Sequence, residues 1–148
     1  MIDSMPAADV ANAERFERLG LAATLQTAAR TRDEFADWLR QFFELDPIRL
    51  SDLVLAINEA LANSAEFAYG ASTRVGTIDL LAWHDPDESS ITVVVADHGE
   101  WRMADPAPAT RSRGRGIPLM RALSDRTAIE TSIDGTQVRL VWTNVPRR

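Results

Sequence analysis

Two polar side chains interrupt the apolar pattern of a predicted helix, and their types and spacing suit chemistry. The stretch Ser51–Gly70 repeats apolar residues at helical spacing. Within it, Glu59 and Asn63 are four residues apart and therefore lie on one face of the helix. A carboxylate can act as a base, and an amide oxygen can bind Mg²⁺. An isolated pair of this kind is more often only a half-exposed polar pair, so its meaning depends on the motifs downstream.

A second motif follows a predicted buried strand. Residues Ile91–Ala96 form a β-branched run typical of such a strand, and Asp97-His98-Gly99 comes directly after it. An aspartate at the end of an apolar strand can accept a hydrogen bond from an exocyclic amine. Gly99 would let a flat ring approach the backbone, because glycine has no side chain. The motif therefore suits the recognition of a nucleotide base.

A third motif, Arg113-Gly114-Arg115-Gly116, opens a short predicted helix. Gly114 and Gly116 free the backbone at the helix start, where unpaired N–H groups and the helix dipole favour phosphate. Arg113 and Arg115 either add positive charge beside the phosphates or are solvated loop arginines, and both interpretations stay open. Together the three motifs predict a nucleotide site.

The elements that must position these motifs form a predicted α+β two-layer sandwich, with a mixed, mostly antiparallel sheet and helices on one face. Two helix starts are predicted from capping residues, one at Thr31 with Glu34 as a capping box and one at Ser51. The predicted strands are Arg15–Thr27, Arg74–Trp83, Ile91–Ala96, Thr127–Ser132 and Thr136–Trp142, and the predicted helices run from Thr31 to about Leu45, over Ser51–Gly70 and over Gly114–Ser124.

Loops and ends complete the predicted layout. Residues 1–14 are expected to be a flexible tail, and residues 15–145 a single domain. His84–Ser90 is rich in residues that break strands and is predicted to be a turn. Asp97–Ser112 is predicted to be a long loop, and a long loop in a compact domain is usually either functional or disordered. The basic stretch Asn144–Arg148 is expected to be loose.

Composition excludes several classes of function. The 148 residues carry a net charge of −6 with a pI of about 4.9, which disfavours direct binding of nucleic acid. The absence of cysteine excludes disulfides and thiol catalysis, and two histidines are too few for a His-rich metal site. No apolar run is long enough to span a membrane. We therefore expect a cytoplasmic protein without membrane or nucleic-acid contacts.

The order and spacing of four sequence boxes resemble a known family. NEALANSAEFAYG, VVVADHGEW, RGRGIPLMRAL and DGTQVRL together resemble the ATP-binding domain of the GHKL (Bergerat-fold) superfamily, and within it the anti-sigma-factor serine/threonine kinases. The resemblance extends from about Leu19 to Trp142. It implies a Bergerat fold, with ATP between the helices and the sheet.

The resemblance also implies a role for each residue of the site. Glu59 would be the catalytic carboxylate and Asn63 the Mg²⁺ ligand. Asp97 would bind the adenine amine, with Gly99 beside it, and Thr136 would help to hold adenine through water. The phosphate loop would include Gly114 and Gly116, flanked by Arg113 and Arg115.

Two positions depart from the pattern of many relatives. Phe67 stands where they have a histidine four residues after the asparagine, and Trp101 stands where a second glycine often follows the DxG motif. Phe67 is expected to pack against the core. Trp101 could cover adenine, anchor a partner or pack ordinarily.

The function implied by the resemblance is a protein kinase that sequesters a sigma factor and phosphorylates an anti-sigma antagonist on Ser or Thr. Relatives form dimers, so a homodimer is one expectation. The alternative is an ATP-binding regulatory module of the same fold without significant kinase activity. A sensor histidine kinase and a plain interaction domain without nucleotide are further alternatives, and neither is favoured by the motifs.

Overall fold

Five strands build one sheet in the computed structural model, which describes residues 15–65, 76–98, 117–132 and 135–148. In chain order the elements are β1 (Arg15–Ala22), α1 (Leu25–Phe42), α2 (Pro47–Asn63), β2 (Thr77–Asp85), β3 (Ser90–Asp97), α3 (residues 117–123), β4 (Arg126–Ser132) and β5 (Gly135–Trp142). The strand order is β1-β2-β3-β5-β4.

Every pairing among the described strands is antiparallel. The predicted α+β sandwich is therefore confirmed, while the mixed character expected for the sheet is not found among these strands. None of the helices in the described ranges is both long and apolar enough to cross a membrane.

The core lies between one face of the sheet and the helices. Alternation along β2 buries Ile78, Leu80 and Ala82 on the same face, because successive side chains of a strand point to opposite sides. Phe35 of α1 and Leu53 of α2 belong to the same buried cluster. Each fully buried side chain of this size contributes about 1.5–3 kcal/mol through the hydrophobic effect. This burial fixes the end of α2 against the inner face of the sheet.

Both predicted helix starts are wrong, although the helices themselves exist. Helix α1 begins at Leu25 with Thr24 as N-cap, so β1 ends at Ala22 instead of Thr27. Helix α2 begins at Pro47, where the Asp46 side chain accepts a hydrogen bond from the Arg49 N–H at 2.8 Å. At both positions the side-chain oxygen accepts a hydrogen bond from a backbone N–H of the first helical turn, which otherwise has no partner within the helix.

The residues proposed as caps instead lie inside the helices. Thr31 is buried within α1, and Glu34 of that helix pairs with Arg18 of β1 at 2.8 Å. Ser51 is exposed within α2. The predicted end of α2 at Gly70 and the predicted strand start at Arg74 lie outside the described residues.

The C-terminal residues are held, contrary to the expectation of a loose tail. Val145 is fully buried, and its N–H donates to the Ser89 carbonyl at 2.7 Å. His84, expected in a turn, lies in β2, and its Nε2 donates to the Val145 carbonyl at 2.7 Å. Further backbone hydrogen bonds join Glu44 to Pro146 and Arg148 to Phe42. These contacts join residues far apart in sequence, so no local pattern could indicate them.

A carboxylate on the outer face ties β1, β2 and the end of β3 together. One oxygen of Asp79 accepts from the Gly20 N–H at 2.8 Å, and the other accepts from His98 Nε2 at 2.7 Å. Burial raises the pKa of Asp79, but the hydrogen bond from Gly20 and the pairing with His98 outweigh it. The pKa of Asp79 consequently lies below its ordinary value of 3.8.

This arrangement predicts a pH-dependent contribution to stability. A carboxylate whose pKa is lowered by folding stabilises the folded state above its unfolded pKa, and this is lost as the pH falls through the folded pKa. We expect Asp79→Asn to lower the free energy of unfolding by about 0.5–1 kcal/mol near neutral pH, the worth of a partly exposed pair. As the pH falls from 3.8 through the lower pKa of the folded state, the difference in stability between the two proteins should disappear.

Urea unfolding of both proteins across this pH range measures the difference. Asp37→Asn, an exposed carboxylate on α1, serves as the control and should show a smaller change. A destabilisation of Asp79→Asn that stays constant through the acid range would contradict the assigned titration.

Candidate functional site

The C-terminal end of α2 brings the predicted base and metal ligand to the site. Leu53, Ala56 and Ile57 anchor the helix in the core. Glu59 and Asn63 lie one turn apart, and both side chains are half-buried. Neither side chain makes a hydrogen bond with another residue in the described ranges. Both therefore keep their oxygen atoms available to a ligand.

Asp97 ends β3 on the inner face of the sheet, where the residue is only 4% exposed. Its Oδ1 accepts a hydrogen bond from the backbone N–H of Thr136 at 3.1 Å. A buried carboxylate requires such donors, because transferring a charge from water is costly unless it is paired or hydrogen-bonded. This hydrogen bond between β5 and the end of β3 thus fixes the position of the Asp97 carboxylate, which the sequence predicts to bind a nucleotide base.

Thr136 begins β5 and contributes a second buried polar group. Its residue is 7% exposed, and its hydroxyl oxygen has no hydrogen-bond partner among the residues that the structure describes. Leaving a buried hydroxyl unsatisfied costs about 1–3 kcal/mol. Such a group is explained when a ligand or an ordered water supplies the partner.

Asn63, Asp97 and Thr136 line one small cavity. Its volume is about 20 Å³, which holds about one water molecule. The described residues of its wall are Ala60, Asn63, Ser64, Asp97, Ile117, Met120, Ile129, Thr136 and Val138. Met120 on α3 is the most adaptable side chain of this wall, because it is unbranched and flexible.

The cavity collects three of the residues predicted from sequence, namely Asn63, Asp97 and Thr136. Glu59 does not line it but lies one helical turn before Asn63. Gly99, Arg113, Gly114, Arg115 and Gly116 lie outside the described residues, as do Phe67 and Trp101. Their roles stay predictions.

Gly135 has a role at the site that the sequence did not assign. In the sequence it belongs to the box DGTQVRL, in which only Thr136 is given a role. Its φ of +142° lies in a region that side chains avoid, and a Cβ built on it would overlap the carbonyl oxygen of Asp97. The added Cβ would also lie 3.0 Å from Asp97 Oδ1. The missing side chain thus allows β5 to approach the buried carboxylate.

Substitution of Gly135 should destabilise the protein by more than the cost of its unfavourable φ angle. We expect Gly135→Ala to lower the free energy of unfolding by about 2–4 kcal/mol, because overlap with Asp97 adds to the strain of the angle. Gly20→Ala is the matched control: its φ is +66°, but nothing lies within 4 Å of the added carbon. That control should cost about 1 kcal/mol.

Chemical denaturation of the two variants provides the comparison. Equal losses of stability in Gly135→Ala and Gly20→Ala would show that contact with Asp97 does not constrain position 135.

Comparison with solved structures finds the same fold. The chain is similar to a crystal structure of the RsbU and RsbW domains of Rv1364c from Mycobacterium tuberculosis, with 24% sequence identity and a TM-score of 0.67. The alignment covers 90% of this chain but 33% of that one, so this chain spans about a third of its length. At this identity the likeness establishes the fold alone.

Comparison of sequences identifies the family. A search of the curated proteins finds no match. The family model described as the histidine kinase-like ATPase domain matches residues 21–142, most of the chain and all of the described site. Membership of this family implies ATP binding, and the layered antiparallel fold agrees with the Bergerat fold implied by the four boxes. The chain belongs to the histidine kinase-like ATPase domain family.

Proposed function

We propose that the chain is a bacterial anti-sigma regulatory serine/threonine protein kinase. In this proposal it binds ATP with Mg²⁺, sequesters a sigma factor in the cytoplasm, and phosphorylates an anti-sigma antagonist protein. The family and the fold support the nucleotide-binding part. The likeness to a structure that contains the RsbW domain of Rv1364c supports the comparison with sigma-factor regulation.

The observation that carries the proposal is the convergence of two buried polar groups in one cavity. The Asp97 carboxylate is held by the Thr136 N–H, and the Thr136 hydroxyl lacks a partner within the described part of the chain. A carboxylate accepts from an amine, and a hydroxyl can bond a ring nitrogen directly or through water. This donor and acceptor set fits adenine, whose edge offers an amine beside ring nitrogens.

Asn63 fits the metal that accompanies ATP. Its amide oxygen is a hard ligand of the kind that Mg²⁺ accepts, and the residue lies on the wall of the same cavity. Within the described ranges, no group of three or more His, Asp or Glu residues could hold a metal ion. Mg²⁺ commonly uses one or two protein ligands together with phosphate and water. When bound, the ion would neutralise charge on the phosphates.

Glu59 is proposed as the base. Phosphoryl transfer depends mainly on positioning and on stabilising charge, but a Ser or Thr hydroxyl must still lose its proton. Glu59 lies one turn before Asn63, on a helix that is anchored in the core. In the proposal its carboxylate orients the hydroxyl of the protein substrate and accepts its proton. The hydroxyl oxygen forms a bond to the γ-phosphorus of ATP while the bond from that phosphorus to the bridging oxygen breaks, and ADP leaves.

The Glu59→Gln variant separates the kinase from a silent nucleotide-binding module. Glutamine keeps the size and polarity of the side chain but cannot act as a base. Affinity for MgATP should stay within a few-fold of wild type, because Glu59 does not line the cavity. Phosphate transfer should fall by about 10²–10⁴-fold, the usual contribution of a positioned base.

Titration calorimetry measures MgATP affinity, and transfer of radiolabelled γ-phosphate to a co-purified antagonist measures activity. Glu44→Gln, an exposed glutamate beyond the end of α1, is the control and should transfer phosphate at the wild-type rate. Wild-type transfer by Glu59→Gln would remove Glu59 from catalysis. Tight MgATP binding without transfer to any partner would favour the silent module.

A further inference from the structure

The pair formed by Asp79 and His98 lies on the outer face of the sheet, one residue away from the carboxylate that lines the cavity. His98 follows Asp97 in the chain, and its Nε2 lies 2.7 Å from Asp79 Oδ2. An ionised carboxylate only accepts hydrogen bonds, so Nε2 carries a proton and is the donor. Asp97 therefore bonds inward, to Thr136 of β5. His98 bonds outward, to Asp79 of β2.

These two side-chain bonds continue the contacts of β3 at the point where its backbone ladders end. The pairing of β3 with β5 runs as far as Ala96. The pairing of β3 with β2 ends one residue later, where Asp97 lies opposite Ile78. Residues at the end of an element open locally at little cost unless further contacts hold them. The bond from His98 to Asp79 is such a contact, just beyond the last pair of the ladder.

Asp79 is itself held in place from the neighbouring strand. Its Oδ1 accepts from the Gly20 N–H at 2.8 Å. Gly20 has a φ of +66° and lies where the register between β1 and β2 shifts, between Arg18 and Leu21. Such an irregularity leaves a backbone N–H outside the ladder, and the Asp79 carboxylate satisfies it. The carboxylate thus connects β1 and β2 with the end of β3.

Asp79 is the charged side chain that His98 contacts, and it stays ionised at neutral pH. Burial raises the pKa of Asp79, but its hydrogen bonds outweigh burial and hold that pKa below its ordinary value of 3.8. Asp97 is next to His98 in the chain but points to the opposite face. Glu130 lies at the far end of the cross-strand row through Asp79. The strand registers place the other charged side chains of this face in rows farther from His98, namely Glu17, Arg139, Arg15, Arg126 and Asp85.

We propose that Asp79 and His98 are positioning residues for the nucleotide site, whose bond holds the end of β3 in the geometry in which Asp97 meets the base, and that protonation of His98 therefore increases the affinity for ATP. The inference rests on the nucleotide-binding part of the proposed function and does not depend on kinase activity. The apparent affinity of a ligand falls with the fraction of the protein that is in the binding-competent form. A stronger bond between Asp79 and His98 raises that fraction.

The direction of the pH dependence follows from the chemistry of the pair. A histidine ordinarily gains its proton as the pH falls from about 8 to about 5. A hydrogen bond from a charged imidazolium to a carboxylate is stronger than one from a neutral imidazole. The bond should therefore hold the end of β3 more firmly on the acid side of neutrality, and ATP should bind more tightly there.

Titration calorimetry of MgATP with the full chain, near pH 6 and near pH 8.5, tests the role of Asp79. Asp79→Asn keeps the size of the side chain but removes its charge. Its dissociation constant should exceed that of wild type by about two- to fivefold near pH 6, the worth of a partly exposed ion pair. The excess should shrink near pH 8.5. Both proteins meet the same nucleotide, so the titration of ATP itself cancels in the ratio.

The same ratio separates positioning from two other effects. A purely structural loss would weaken binding equally at both pH values. Direct attraction between an imidazolium and the phosphates would persist in Asp79→Asn, so it would not make the ratio depend on pH. Glu130→Gln is the matched control, because this exposed carboxylate lies in the same cross-strand row without contacting His98. Its dissociation constant should stay close to that of wild type at both pH values.

His98→Gln tests the pair from the other side. Glutamine offers an N–H donor that stays neutral at every pH. This variant should bind MgATP much as wild type does near pH 8.5, and about two- to fivefold more weakly near pH 6.

The inference is overturned if the ratio for Asp79→Asn is the same at both pH values, or if His98→Gln follows the wild-type pH profile. Either result would leave the nucleotide site itself intact. A wild type that binds no MgATP would instead overturn the proposed nucleotide site, and this inference with it.

Discussion

The close approach of β5 to the end of β3 is the constraint on which the site depends. Gly135 lacks the carbon atom that would overlap the Asp97 carbonyl, and the next residue donates its N–H to the Asp97 side chain. A buried carboxylate is thereby held in one position by a backbone N–H of the neighbouring strand. The same approach brings the Thr136 hydroxyl to the cavity wall, facing the end of α2. Without this contact, the polar groups that favour a nucleotide would not share one cavity.

The two faces of the sheet carry different polar groups at the end of β3. Asp97 faces inward toward the cavity, whereas its neighbour His98 bonds Asp79 on the outer face. A change of one residue along the chain therefore moves a side chain from the cavity side to the outer face of the sheet. The Asp79–His98 pair lies at the border between the two, at the point where the chain leaves β3.

The sequence predicted most of the elements, because long periodic patterns such as those of α2 and β3 reflect burial on one face. It predicted the helix starts wrongly, since several side chains could cap each helix and packing selected Thr24 and Asp46. The anchored C-terminus depends on contacts with Ser89 and His84, which no local pattern contains. Asp97 was predicted from its place at the end of a buried strand, and Thr136 only from the family resemblance. The crowding at Gly135 could not be foreseen without knowing that β3 and β5 are neighbours.

The most direct test of the nucleotide site is the Thr136→Val variant, which replaces an unpartnered buried hydroxyl with a methyl group of similar shape. If the hydroxyl serves a ligand, the variant should be as stable as wild type or more so without nucleotide, because no internal hydrogen bond is lost. Its affinity for ATP by titration calorimetry should fall about tenfold, corresponding to about 1.4 kcal/mol. A variant that is less stable and binds ATP as wild type does would contradict the account, because the hydroxyl would then serve the fold.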